Sequence, residues 1–405
     1  MIPFGITEET VKAEIIETKK DYLIAKITGF VKASPERITP PCPYFPDCGG
    51  CDYQHATYRG QLLMKMAIIK DMLKRVGKIE KPFVNPIIPS PDPFNYRTRV
   101  ELKVSKKRQK NDAFLGFYKK NSHNIVQIEK CLICHPKINE VIEAINYFCG
   151  NDINKHTEKI KIALCATSSK IILTLKGDKF PKNMIDRLGA DLKKYVKGVE
   201  GIVIEEPRRV AINGKDYLNE SIGEVNYRVN SKSFFQINHL LREDLVRLIL
   251  RLCSPKKTDI FADIYSGVGT FSIPLAQRAN EVICIEDNEN AAKDAQANIR
   301  AHKLKNVSCV KGDAGNALKE VFEDNDKING VLLNPPRSGC TNDVKSKIAK
   351  AMVNKIIYLS CDPATLSRDI SFFVNNGYQI DEIQPIDLFP QSYHIETAIK
   401  LSRAQ

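Results

Sequence analysis

Two groups of cysteines fall where chemistry could use them, in a chain that carries 12 cysteines among 405 residues. Cys361 follows the apolar run IIYLS and precedes Asp362-Pro363 and the helix-like ATLSRD. A thiol just ahead of a helix beginning near Pro363 meets unpaired N–H groups and the positive end of the dipole, both of which lower its pKa and make it a nucleophile. The plain alternative is a small buried residue, as most free cysteines are. Further on, Glu396 lies in HIETAIKLS, a strand-like run in which Ile395, Thr397, Ile399 and Leu401 share one face. Glu396 then points the opposite way, either into a site as a base or out to solvent.

The second group is Cys42-x5-Cys48-Gly-Gly-Cys51, three thiols on a proline-rich loop. A fourth ligand must come from elsewhere; Cys131 in EKCLICHP is the first candidate and Cys134 the runner-up. Four thiolates suit zinc or an iron–sulfur cluster, and spacing does not separate them. The paired glycines favour the cluster, because small residues let backbone N–H groups reach its sulfides.

The elements that must position these residues alternate from about Phe234 onward. A helix over 239–252 is followed by strands at IFADIY, EVICIE, VSCVKG, GVLLN and KIIYLS, with helices between most of them. Strands alternating with helices predict a parallel sheet covered on both faces, with ligands at the carboxyl ends of its strands. There Asp263 and the Gly267/Gly269 turn follow the first strand, Glu286 ends the second, Asp313 follows the third and Asn334-Pro335-Pro336-Arg337 follows the fourth. Glu286 stands 23 residues after Asp263, where an acid can accept hydrogen bonds from ribose hydroxyls. Acid or amide at four successive strand ends points to S-adenosylmethionine. A phosphate site would instead want a glycine-rich loop with a lysine.

Upstream, 11–33 reads as a β-hairpin around Lys19-Lys20-Asp21, and Tyr58–Val76 as a helix with Leu62, Leu63, Met66, Ile69, Met72 and Leu73 along one stripe. The expected division is a partial β segment over 1–35, a cysteine loop, helix and linker over 36–95, an α+β central region over 96–230 that binds RNA, and a catalytic α/β domain over 231–405. A net charge of +13 suits an anionic partner. The excess peaks between Arg97 and Lys120, where nine basic residues face only Glu101 and Asp112, with Phe114, Phe117 and Tyr118 interleaved. That run could hold phosphates and stack a base, or be a solvated hairpin tip with its aromatics in the core. No stretch approaches the ~18 apolar residues of a membrane span, and the start lacks the order of a signal peptide. A cytoplasmic protein is expected, without disulfides, without an obligate protein partner, and monomeric.

Taken together, CPYFPDCGGC with Cys131, SFFQIN, DIYSGVGTF, NPPRSG, SCDPATLSRD and HIETAIKL make the chain resemble the uracil-5-methyltransferases of structured RNA, both the ribosomal and transfer-RNA branches. The resemblance runs from about residue 11 to the C-terminus. It implies a Rossmann-like methyltransferase domain after an α+β central domain and a shortened N-terminal OB-like (TRAM-type) β segment, of which only the later strands are expected. It implies a 4Fe–4S cluster on Cys42, Cys48, Cys51 and Cys131, and an S-adenosylmethionine site that includes Gln236, Tyr265, Glu286 and Asn334, with Gly267, Gly269 and Asp313 beside them. It also implies a nucleophile at Cys361 and a base at Glu396. Asn334 departs from the family, which usually has Asp there. The substrate implied is a uridine in structured RNA, ribosomal ahead of transfer RNA. Two other functions compete: an amino-group methyltransferase using Asn334-Pro335-Pro336, which needs neither Cys361 nor Glu396, and a non-catalytic RNA-binding or iron–sulfur sensing protein.

Overall fold

The structure is a computed structural model that describes residues 1–105, 114–148, 156–324 and 328–404. Strands β1 (Thr10–Thr18) and β2 (Leu23–Lys32) form the expected hairpin, a two-stranded antiparallel sheet. Helix α1 (Tyr58–Arg75) begins where Thr57 accepts a hydrogen bond from the Gly60 N–H, a side-chain cap for an otherwise orphaned donor.

The stripe on α1 is not the predicted one. Ile69 and Leu73 are buried, but Leu63 is 55% exposed and the buried face also carries Gln61 and Lys65. Lys65 Nζ pairs with Asp387 Oδ1 at 2.6 Å and donates to the Phe389 carbonyl at 2.9 Å, while Gln61 exchanges hydrogen bonds with Gln391. This face docks on the 387–391 segment by polar pairing, which no apolar periodicity reveals.

The central region is a seven-stranded sheet. Its strands are β3 (Arg99–Val104), β4 (Leu115–Tyr118), β5 (Ile125–Gln127), β6 (Thr157–Cys165), β7 (Lys170–Gly177), β8 (Val199–Glu206) and β9 (Arg209–Gly214), in the order β5-β4-β3-β6-β7-β8-β9. Helices α2 (Pro136–Phe148) and α3 (Met184–Tyr195) supply much of its core through residues such as Ile138, Ile142, Leu188 and Leu192. The small sheet of β10 (Tyr217–Ile222) and β11 (Val225–Asn230) leads into the last part of the chain.

The basic run falls on this region. Lys106, Lys107, Arg108, Lys110 and Asp112 lie outside the described residues. Of the others, Arg99 is half-buried and donates to the Ser233 carbonyl at 2.9 Å, and Lys103 pairs with Glu101. Lys119 pairs with Asp47 at 2.8 Å and Lys120 with Asp52 at 2.6 Å. Phe117 packs against the central core, whereas Tyr118 is 39% exposed.

The last part is a second seven-stranded sheet flanked by α4 (Arg242–Cys253), α5 (Ser272–Ala276), α6 (Glu289–Ala301), α7 (Ala314–Asp324), α8 (Asn342–Ala351) and α9 (Pro363–Val374). Its strands are β12 (Ile260–Ile264), β13 (Glu281–Glu286), β14 (Val307–Lys311), β15 (Ile328–Leu333), β16 (Lys355–Ser360), β17 (Tyr378–Ile386) and β18 (Glu396–Arg403). The order is β14-β13-β12-β15-β16-β18-β17. The first five pair in parallel as expected, but β18 runs antiparallel between β16 and β17. The expected alternation passed over β17, whose Asp381, Glu382 and Pro385 obscure its period; an edge strand tolerates proline. Separate apolar cores lie on the two faces of the sheet. Among the described residues no helix is long and apolar enough to cross a membrane.

Candidate active site

Cys361 occupies the junction between β16 and α9, but it is not the residue that caps the helix. The Asp362 carboxylate accepts from the N–H groups of Ala364 at 3.0 Å and Thr365 at 2.9 Å, filling the anion site that the sequence offered to the thiol. The expected lowering of the Cys361 pKa is therefore corrected: burial, and next the Glu396 carboxylate, push it up, while Arg337 pulls the other way by charge and by a hydrogen bond to the sulfur. Asp362 is the N-terminal cap of α9.

Glu396 opens β18 and is only 4% exposed, which removes the solvent-facing alternative. The alternation holds, since Ile395, Ile399 and Leu401 enter one core and Ala398, two residues from Glu396, enters the other. The surroundings keep the position dry: β18 is paired along both edges by β16 and β17, and an apolar core lies on each face of the sheet. Burial alone pushes the Glu396 carboxyl up to about 8.

Sheet order also explains the second cluster of polar residues. Because β14, β13, β12 and β15 are consecutive neighbours, Asp313, Glu286, Tyr265 and Asn334 stand in a row along one carboxyl edge. Tyr265, Gly267 and Gly269 turn the chain there with φ of 66°, 58° and 84°. Positive φ at the glycines costs little, but at Tyr265 it is strain of the kind held at functional positions. Glu286 accepts from the Gly267 and Asn288 N–H groups, both at 2.8 Å, which tie its carboxylate to the glycine turn. Asp313 accepts from the N–H groups of Gly315 at 3.0 Å and Asn316 at 3.1 Å. Asp263 is fully buried, bonded to the Ser272 hydroxyl, and raised to about 7 by burial. Asn334 donates its backbone N–H to the Ile264 carbonyl at 3.3 Å, joining the fourth strand end to the first. Gln236 is buried, and its carbonyl accepts from Arg242 Nε at 2.7 Å; the same guanidinium binds Glu220 and Thr98.

In the sequence His394 has no more than a supporting place beside Glu396, and Arg337 no role of its own. In the structure Arg337 Nη2 lies 3.1 Å from His394 Nε2, and burial, then Arg337, drive His394 down to about 4. A neutral imidazole accepts from the guanidinium, whose charge also favours the Cys361 thiolate. The available signal was the arginine directly after Asn-Pro-Pro.

Arg337 and His394 also line a cavity of about 800 Å³ whose other wall holds Cys42, Cys48, Cys51 and Cys131. None of the described cysteines is in a disulfide. Burial raises the Cys42, Cys48 and Cys51 thiols, and each also feels Cys131. Cys134 is fully buried and hydrogen-bonded to Cys131 rather than lining the cavity. Among the described residues no three His, Cys, Asp or Glu side chains are gathered for a metal ion. Four free thiols around one cavity, with Gly49 and Gly50 beside them, do fit the donor set of a larger iron–sulfur group.

Comparison with known proteins agrees with this geometry. The profile of the tRNA (uracil-5-)-methyltransferase family matches residues 57–404. An RNA methyltransferase of Aquifex aeolicus is 32% identical, with 98% of this chain and 91% of that protein covered. Another from Clostridium tetani is 31% identical over 98% of this chain and 90% of its own length. Both are described as uncharacterized. The crystal structure of Pyrococcus abyssi tRNA (uracil-54, C5)-methyltransferase with S-adenosyl-L-homocysteine superposes with a TM-score of 0.76 at 24% identity, covering 99% of this chain and 95% of that one. The chain belongs to the tRNA (uracil-5-)-methyltransferase family and is an S-adenosylmethionine-dependent RNA methyltransferase of Rossmann-like fold.

Proposed function

We propose that the protein methylates carbon 5 of a uridine in structured RNA through a covalent adduct between Cys361 and uracil carbon 6. The observation that supports this is the register of β16 and β18: Ser360 pairs with Thr397 in antiparallel sense, which sets Cys361 at a strand-to-helix junction beside the buried Glu396 carboxyl. An amino-group methyltransferase or a mere binding protein would leave both unused.

Uracil carbon 5 is a poor nucleophile. Addition of the Cys361 thiolate to carbon 6 gives carbon 5 enolate character, so that it takes the methyl group. S-adenosylmethionine supplies that methyl as a sulfonium; Gln236, Tyr265, Gly267, Gly269, Glu286, Asp313 and Asn334 would hold it. Glu396 then accepts the carbon 5 proton, the carbon 6–sulfur bond breaks, and the thiolate is restored. The target base must be unpaired or flipped to reach a half-buried thiol at a strand end. Asn334, in place of the family's Asp, keeps hydrogen-bonding capacity without charge.

Cys42, Cys48, Cys51 and Cys131 would hold a 4Fe–4S cluster, which supplies cross-linking between the loop over 42–51 and the segment around Cys131. Methyl transfer to uracil involves no net redox change, so its role is structural or RNA-positioning. Cys48→Ala is expected to lose bound iron and labile sulfide together with thermal stability; a variant with unchanged stability would count against it. The division proposed here is in four parts with boundaries at 35, 95 and 230, the central sheet being the RNA-binding part.

In this reading ribosomal RNA is the first substrate to test. Transfer RNA is the second, favoured by the tRNA family that the chain matches and by its likeness to the Pyrococcus tRNA enzyme. The test is incubation of the protein with S-adenosylmethionine and each RNA, followed by nucleoside analysis. 5-Methyluridine in one RNA, lost in Cys361→Ala, is the expected result. Methyl groups on an exocyclic amine, or none, would overturn the proposal.

A further inference from the structure

Behind the nucleophile, α9 presents a second constellation. Thr365, Arg368 and Asp369 are three and four residues apart and so share one side of the helix. All three grip one stretch of backbone. Thr365 Oγ1 donates to the Arg337 carbonyl at 3.0 Å, and Arg368 Nη2 to the Ser338 carbonyl at 3.0 Å. The Cys340 N–H donates to Asp369 Oδ2 at 2.8 Å. Between these contacts Gly339 crosses the helix with φ 76°, and a Cβ there would lie 2.5 Å from both Arg368 Nη2 and Asp369 Oδ2 and 3.2 Å from Thr365 Cβ. The loop therefore lies as close to this helix face as a backbone can.

Asp369 does not depend on the loop for its own place. It is fully buried and accepts from the Tyr358 hydroxyl and from Lys345 Nζ, both at 2.7 Å, which fix it to β16 and α8. The loop in turn begins with Arg337, whose guanidinium lies 3.1 Å from His394 Nε2 and whose positive charge acts on the Cys361 thiol.

We propose that Thr365 and Asp369 are positioning residues for the reaction: they clamp the 337–340 loop onto the helix that follows Cys361, and so hold the Arg337 guanidinium on the nucleophilic sulfur. Neither touches substrate; both act through Arg337. The proposal rests on the reading of Cys361 as the nucleophile, so its test is made independent of uracil chemistry.

That test is the pH-rate profile of Cys361 alkylation by iodoacetamide, followed on the Cys361 peptide by mass spectrometry in the full-length protein as isolated. Arg337→Gln is expected to slow alkylation at pH 8 and displace the profile to higher pH, because the thiolate loses its cation. Thr365→Val, which removes the hydroxyl but keeps the volume, is expected to slow it roughly 3- to 10-fold, the worth of one hydrogen bond, and to displace the profile in the same direction. Thr365→Ser restores the wild-type profile. Asp369→Asn is expected to follow Thr365→Val where it folds. A merely structural Thr365 would lower Tm and leave the profile in place. The proposal is overturned if Thr365→Val superimposes on wild type while Arg337→Gln moves, or if Arg337→Gln itself has no effect. Should the expected shifts occur in a protein that forms no adduct with RNA, the clamp stands and the nucleophile reading falls.

Discussion

At the scale of single residues, two ionisable groups stand side by side where β16 ends and β18 begins, and the Glu396 carboxylate makes a Cys361 thiolate costly. Burial holds Glu396 up to about 8 and raises Cys361, with Arg337 as the opposing cation. The linkage for Glu396 is direct. Its folded pKa lies above the ordinary value of 4.5, so between those two values the folded state binds more proton than the unfolded chain. Stability from this group is therefore present below the unfolded pKa and is lost as pH rises through about 8. Glu396→Gln is expected to flatten that part of the pH dependence and to have a higher Tm than wild type at pH 9, measured by thermal melts at pH 5, 7 and 9; parallel curves would contradict the buried carboxyl. The same variant separates methyl transfer from release. Without the base, proton removal slows by roughly 10²- to 10⁴-fold, and a covalent complex with ordinary uridine RNA should accumulate on denaturing gels. Rapid turnover in Glu396→Gln would remove Glu396 from the reaction.

At the scale of elements, the site is an outcome of strand order. The four strand ends with Asp263, Glu286, Asp313 and Asn334 were legible in the sequence because each follows an apolar run, Tyr265 came only with the family resemblance, and sheet order then sets the strand ends side by side. Cys361 was legible for the same reason, yet its electrostatics were not: Asp362 takes the helix N–H groups, an outcome decided by one side chain's geometry. Strand β17 escaped because an edge strand with proline and acids lacks a clean period. Helix α1 was placed to within a residue, but its docking by Lys65 and Gln61 was invisible, since a lysine among apolar residues reads as a solvent-facing charge. That buried pair has both side chains at 0% exposure. Lys65→Met should destabilise the protein by about 3–5 kcal/mol, because it leaves Asp387 buried and unpaired, as read by urea unfolding. A loss under about 1 kcal/mol would mean that the pair is solvated. Asp387 lies in the segment that leads to His394 and Glu396, so this docking helps fix the proposed base.

At the scale of the whole molecule, one cavity has the four thiols on one wall and Arg337 with His394 on the other, so the cysteine loop and the catalytic sheet share a single concave face. The +13 charge suits an RNA that covers this face. RNA affinity should fall linearly in log–log form with salt, by filter binding between 50 and 200 mM, losing roughly 10-fold or more if several phosphates are neutralised. A flat dependence would contradict a phosphate-tracking surface. The central claim is narrower than RNA binding: Cys361 becomes covalently bonded to uracil. Incubation with 5-fluorouracil-containing RNA and S-adenosylmethionine tests it, because fluorine cannot leave carbon 5 as a proton does, and the elimination that frees the enzyme is blocked. The account predicts a denaturation-stable protein–RNA adduct with wild type, mapped to the Cys361 peptide and absent in Cys361→Ala; no adduct with wild type, or one that persists in Cys361→Ala, would contradict it.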